Sequence, residues 1–245
     1  STLETIGYGA FWNSDLSGSI TLPASLITLS ARAFYYTSLS SVIFESGSKL
    51  VTIGDRAFKG TGLSGQMTLP ASVTSIGNEA FYQLTSSSFS FESGSQLETI
   101  GDSAFYESGL SGSITLPSSL TSIGEQAFYG CNSLTSVIFP LDTQLTTLIG
   151  DKDTIFKDSG LSTFTAPQSV LTQFNVEAGT GKTVGGKGGV TVIEAVPPRI
   201  TISGEGVLTE AKVKEAIQDG SNAVDVIVTV FTSIGRGAFE RSGLS

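Results

Sequence analysis

One phrase returns along the whole chain and limits what it can fold into. The pattern I-G-x-x-A-F stands at Ile123–Phe128, and close copies place phenylalanine at Phe11, Phe34, Phe58, Phe81, Phe105, Phe128, Phe156 and, after a break, Phe239. The successive spacings are 23, 24, 23, 24, 23 and 28 residues, followed by a gap of 83. A unit this short cannot bury a core by itself, so the period predicts a solenoid whose coils complete one another. The alternation of 23 and 24 residues makes a larger unit of 47, built from two coil types. One reads GLSGSITLPSSLTSIGEQAF (109–128) and the other SLSSVIFESGSKLVTIGDRAF (38–58). The first carries an extra residue before its strand, and the second a longer turn after it.

The apolar spacing inside each coil is that of a short strand. Leu134, Val137 and Phe139 follow an L-x-x-L-x-L spacing, Leu39, Val42 and Phe44 repeat it, and Ile114 and Leu116 serve the same positions in the other coil type. Alternate residues of a strand face opposite ways, so these point inward and their neighbours outward. Pro23, Pro70, Pro117 and Pro140 end the strands, because proline donates nothing to a ladder. A second extended piece follows, such as Leu120–Gly124, closed by a glycine. The A-F pair behind it is expected in a helical or 3₁₀ turn, with the phenylalanine column as a core spine.

Composition excludes several classes of function. The chain of 245 residues has 13 basic and 22 acidic side chains, a net charge of −9, and no histidine. An acidic surface repels phosphate backbones and anionic lipid, so no nucleic-acid partner is expected. Without histidine there is no Ser-His or Cys-His nucleophile pair and no usual zinc site. The one cysteine, Cys131, has no internal disulfide partner and is expected as a small apolar residue, with an intermolecular bridge the alternative. No apolar run is long enough to span a bilayer, so membrane insertion is not expected.

The stretch from Ser119 to Pro140, S-L-T-S-I-G-x-x-A-F-Y-G-C-x-S-L-T-S-V-I-F-P, resembles the BspA-type leucine-rich repeat family. The likeness covers about residues 1–166 and again 231–245. It implies a parallel-strand solenoid of mostly β structure with short helical turns, found outside the cell or at its surface and acting in adhesion and protein–protein contact. One departure stands out. The family's frequent G-C after A-F-x occurs only at Gly130–Cys131; the slot elsewhere holds Tyr36–Thr37, Gly60–Thr61, Gln83–Leu84 and Glu107–Ser108.

Residues 167–230 break the rhythm and read as an inserted α/β cap or linker between the solenoid (1–166) and a restart of the repeat (231–245). GTGKTVGGKGG (179–189) is expected as a turn-dense loop; its GKT lacks the Walker glycine, whose place is taken by Val176, so no phosphate cradle is expected. LTEAKVKEAIQDG (208–220) predicts a short amphipathic helix with Thr209 as N-cap, and Val224–Val230 a strand. Asp151–Asp153 lacks the calcium-loop pattern and is expected as a solvated turn, and Glu45, Glu92 and Glu98 as solubilising charges in the repeat turns.

No catalytic, cofactor-binding or metal-ligating residue is expected, and the chain is read as non-enzymatic. The candidate contact face is the outward strand column Thr21, Ile43, Thr68, Ser90, Thr115, Ile138 and Thr165, whose members lie about 4.8 Å apart if coils stack as strands do. A plain β-surface of good strand formers is the simpler reading of the same row. Two functions compete. The first is a structural protein that binds protein, including copies of itself, because STLETIGYGAF at one end and RSGLS at the other are parts of coils that could complete each other into a head-to-tail filament; a stretch of a longer tandem protein has the same ends. The second is a surface adhesin or receptor-like module gripping a glycoprotein or glycan. An ordered hydroxyl row also suits ice, but Ile43, Ser90 and Ile138 interrupt its threonines.

Overall fold

The computed structural model describes residues 2–196, 199–203, 207–208, 225–229 and 233–234. They form two compact units, Ser1–Ala195 and Val196–Ser245. In the first unit each coil gives one longer and one very short strand, numbered here in chain order. The short ones are β1 (Thr5–Ile6), β3 (Thr28–Leu29), β5 (Thr52–Ile53), β7 (Ser75–Ile76), β9 (Thr99–Ile100), β12 (Ser122–Ile123) and β14 (Thr147–Leu148). The longer ones are β2 (Ser17–Leu22), β4 (Ser38–Phe44), β6 (Gly65–Leu69), β8 (Ser86–Phe91), β10 (Gly109–Leu110) continued by β11 (Gly112–Thr115), β13 (Leu134–Ile138) and β15 (Thr163–Ala166).

The short strands pair in one parallel, seven-stranded sheet in the order β1-β3-β5-β7-β9-β12-β14. The chain is a parallel β-solenoid of about that many turns. The longer strands divide into three sheets, β2-β4, β10-β8-β6, and a third that begins β11-β13-β15. The division follows the extra residue of one coil type. Gly18, Gly65 and Gly112 sit at φ of 77°, 85° and 75°, and the register slips beside Gly18 and Gly112. A glycine in left-handed conformation lets a strand take up one residue as a bulge without losing its inward pattern.

Between the two faces runs the A-F segment, which closes as successive i+3→i turns: Ala57 N–H donates to Gly54 O at 3.2 Å, and Thr61 N–H to Phe58 O at 3.3 Å. The amides between them reach the next coil instead, Arg56 to Asn78 O at 2.8 Å and Phe58 to Ala80 O at 2.9 Å. Every other amide therefore stitches coils together, and the turn is a third ladder rather than a helix. Its left-handed residues, among them Arg32, Arg56, Glu79, Ser103 and Gln126 at φ between 53° and 58°, are what rule a helix out.

The core is one continuous cluster along the first unit. Phe34, Phe58, Phe81, Phe105, Phe128 and Phe156 are fully buried, while Phe11 keeps 36% of its surface exposed. Adjacent rings lie nearly parallel, with centroids 5.1 Å apart for Phe11–Phe34 and 5.5 Å for Phe58–Phe81.

Past residue 166 the first unit continues to Ala195. Helix α1 (Gln168–Phe174) places Phe174 5.8 Å from Phe156 and 5.3 Å from Phe164, where the next ring of the spine would stand. The glycine-rich segment, expected as a loop, is instead a hairpin of β16 (Gly179–Val184) and β17 (Lys187–Glu194). Gly185 and Gly186 have φ of 52° and 80°, the two left-handed residues a type I′ turn requires. Strand β17 pairs in parallel with β15, β16 closes the outer edge antiparallel, and Gly185 O accepts from Phe156 N–H at 2.8 Å. A Cβ on Gly186 would lie 1.7 Å from Asp153 O, so the turn seats on the last coil at a distance only glycine permits.

In the second unit, β18 (Arg199–Ser203) pairs in parallel with β20 (Asp225–Thr229), and β19 (Val207–Leu208) with β21 (Ser233–Ile234). A longer strand followed by a two-residue strand is also the order within each coil of the first unit. The helix expected at 209–220 and Phe239 lie outside the described residues.

Candidate contact surfaces

The predicted contact row falls on the outward side of the longer strands. Thr21 pairs with Ile43, Thr68 with Ser90, Thr115 with Ile138, and Ile138 with Thr165. The row crosses the partings between β4 and β6 and between β8 and β11, and it runs one place further than the sequence suggested, since Thr165 pairs with Ile193 of β17. Ile43 is 51% exposed and Ile193 47%. Thr68 and Ser90 share a hydroxyl hydrogen bond of 2.9 Å along the row. Two residues back on the same strands lies a second row, with Ser19 opposite Ser41, Gln66 opposite Ser88, Ser113 opposite Ser136, and Thr163 opposite Thr191. Neither row contains a charge.

The turn face is different in kind. The first variable residue of I-G-x-x-A-F forms a side-chain ladder: Asp55 Oδ1 accepts from Asn78 N–H at 2.8 Å, Asn78 Oδ1 from Asp102 N–H at 2.8 Å, and Asp102 Oδ1 from Glu125 N–H at 3.0 Å. The second variable residue adds charge. Arg56 donates through Nε and Nη2 to Glu79 Oε1 at 3.0 and 2.5 Å, and Lys59 holds the other oxygen. The Arg56 hydrogen bond, with Lys59 beside it, keeps the Glu79 carboxyl below the usual range. After A-F come Tyr82, Tyr106 and Tyr129, stacked at 4.8 Å with planes 4° apart. Asp158 accepts from the Tyr129 hydroxyl at 2.6 Å and pushes its pKa up to about 12.

The G-C slot also gains an explanation. Thr37 and Thr61 hydroxyls donate to the carbonyls of Phe34 and Phe58, at 3.0 and 2.7 Å, and the Cys131 thiol lies 3.0 Å from Phe105 O. Ser108 touches Cys131 at 3.4 Å, and all four side chains are buried. In four coils the slot holds a small side chain with a donor, threonine, serine or cysteine, and in the coil between Thr61 and Ser108 it holds the buried, apolar Leu84. Burial pushes the Cys131 thiol up to about 12, so it is neither nucleophile nor ready disulfide partner. The residue ahead of the slot is left-handed in every case, from Tyr36 and Gly60 to Gln83, Glu107 and Gly130, which accounts for the glycine of G-C.

Other expectations meet specific partners. Asp151, in the supposed solvated turn, caps a 3₁₀ turn at Lys152–Thr154 by accepting from Asp153 N–H at 3.0 Å. Glu45 and Glu92 accept the amides of Ala24 and Ala71 in the preceding coil, at 2.8 and 2.9 Å.

The family profile of the BspA type leucine-rich repeat region matches residues 1–64 and 51–178 in six copies. The chain belongs to this family. Comparison with curated proteins gives no match. Among solved structures the BspA-type chain is similar to the pneumococcal vaccine antigen PcpA, at 17% identity over 92% of this chain and 84% of that one, with a TM-score of 0.38. It is also similar to a leucine-rich repeat protein from Bacteroides ovatus, at 18% identity over 95% and 78%, with a TM-score of 0.31.

Proposed function

We propose that this BspA-type protein is a non-enzymatic contact module, working outside the cell or at its surface, whose long-strand face binds protein. The carrying observation is the uncharged double row that presents Ile43 and Ile193 about half exposed on an otherwise acidic chain. A flat β-surface with exposed branched apolar side chains and no like charges to repel a partner suits a protein interface. The repeat family and the lack of any histidine support the non-enzymatic part. A glycan is the less favoured occupant of this face, because sugars bind aromatic rings and neither outward row holds one.

The test is a Thr68→Lys/Thr115→Lys double variant, compared with the native chain for binding to a panel of purified extracellular proteins by interferometry. At least one protein should bind the native chain saturably and lose about tenfold or more in affinity with the variant, whose melting temperature stays unchanged. Binding that survives both lysines removes this face from the reading.

Head-to-tail assembly is a second reading, supported by the outer side of the first coil. There Ile6, Phe11, Ile20 and Leu22 line a cavity of 280 Å³, and the partly exposed Phe11 ring continues the stack. A further coil stacked there would match that ring and those strands, and in the head-to-tail reading a second copy supplies it. Sedimentation across a wide concentration range tests this: mass that grows with concentration and is lost in Phe11→Ser supports it, and a constant monomer mass excludes it.

A further inference from the structure

We propose that the groove over the I-G-x-x-A-F turns binds a carboxylate-bearing chain, with the acid group seated on Arg32. The groove encloses 370 Å³ and is lined by Tyr8, Arg32, Asp55, Arg56, Glu79 and Asp102, among others. It lies on the turn face, apart from the strand face, and stands independently of the function proposed above.

Arg32 is held from both ends. Its backbone is left-handed, with φ 58°, and its N–H donates to Asp55 O at 2.8 Å, so the side chain leaves a fixed point. Its guanidinium carbon lies 5.3 Å from the ring of Trp12, 5.7 Å from Tyr8 and 5.9 Å from Tyr35. Aromatic rings around a guanidinium displace water from it and raise the value of any anion it meets. Yet among the described residues its only side-chain hydrogen bond is from Nη1 to the neutral Tyr8 hydroxyl, at 2.5 Å, and it joins no ion pair. Guanidinium carries five N–H donors in a fork that fits a carboxylate.

The next coil shows the same position satisfied. Arg56, one rung along the column, gives two hydrogen bonds to Glu79, while Arg32 has no such carboxylate. Among the described residues Asp55 makes no hydrogen bond to the Arg32 side chain, and its Oδ1 takes the amide of Asn78. An external carboxylate completes the fork.

The rest of the groove selects the chain that carries the acid. Asp55 and Asp102 each spend one oxygen on a backbone amide of the following coil, and among the described residues the second oxygen of each accepts nothing. These are acceptors awaiting N–H or O–H donors. From Arg32 to Asp102 is three rungs, roughly 14 Å along the strand-stacking direction. The ligand class is therefore an acidic peptide segment, extended, with a carboxylate at one end and N–H and O–H donors along it.

The experiment is calorimetric titration of the full chain, at low salt, with an N-acetylated Glu-Ser-Ser amide, and with tri-galacturonate, which bears a carboxylate on every sugar, as the contrasting probe. The peptide should bind saturably, and binding of tri-galacturonate alone overturns the peptide assignment. Arg32→Gln should weaken peptide binding by about tenfold or more, and Arg32→Lys, which keeps charge but loses the fork, by less. Asp102→Asn should have a smaller effect, and near-ultraviolet circular dichroism checks that each variant keeps the native packing. Failure of the peptide to bind the native chain overturns the proposal. So does binding that Arg32→Gln and Arg32→Lys leave unchanged.

Discussion

The two strand faces of the solenoid are built from the same coils and are not equally regular. The short-strand face is one unbroken sheet of seven, each strand a Thr or Ser followed by Ile or Leu, because the extra residue of alternate coils is taken up on the other face. The long-strand face parts into three sheets, because alternate coils carry a bulge glycine. Regularity follows from where the extra residue is admitted rather than from strand length: the shorter strands make the better sheet. The short-strand side also packs more tightly. A Cβ on Gly101 would lie 2.5 Å from Asn78 Oδ1 and 2.8 Å from the carbonyl carbon of Gly77, whereas one on Gly112 would meet nothing within 4 Å.

The largest effect should come from the spine that both faces share. Phe105→Ala, at a fully buried position, is expected to cost about 3–5 kcal/mol in urea unfolding. Phe11→Ala should cost under about 2 kcal/mol, since that ring is partly exposed. Equal costs at the two positions would mean that the spine is not what joins the faces.

Glycine substitutions address the contrast directly. Gly101→Ala must push backbone apart and should cost about 3 kcal/mol, while Gly112→Ala faces only its positive φ, at about 1 kcal/mol. A larger loss at Gly112 would reverse the comparison. Cys131→Ser keeps a donor in the buried slot and should cost about 1 kcal/mol. With its thiol pushed up to about 12, Cys131 should resist alkylation at pH 8 until the chain unfolds, and rapid labelling of native protein would contradict its burial.

The smallest effect belongs to the turn face. Glu79 is held below its ordinary carboxyl range by Arg56, so its charge stabilises the folded chain above the unfolded carboxyl value and stops doing so as pH falls through the folded one. Glu79→Gln should therefore lower stability by up to about 1 kcal/mol at pH 7, and by progressively less below about pH 4. A penalty that persists at pH 2 would assign the loss to packing.

Much of this was legible in the sequence, for physical reasons. The spine and the contact row repeat as side chains, and a period of 23 or 24 residues fixes their stacking. The turn ladder repeats as backbone. Its variable positions hold Asp, Asn and Glu, or Arg, Glu, Ser and Gln, and nothing in those letters announces a shared left-handed conformation. The Thr37, Thr61, Ser108 and Cys131 slot is hidden for a related reason, since its members share a donor and a volume rather than a name. The cap hairpin did leave a signal: Gly185–Gly186 between Val184 and Val190 is a two-residue hairpin turn, read as a loop because the surrounding glycines obscured it.

The direction of the coil-to-coil hydrogen bonds has a mechanical consequence. In the first unit the bonds of the two strand faces and the turn ladder all point along the stack. A steady pull along that axis loads every bond of a junction at once, and the weakest junction gives way first. A pull that lifts one coil sideways breaks its bonds in sequence, like a zip. The same stack should therefore hold against tension between its ends and peel readily from an edge.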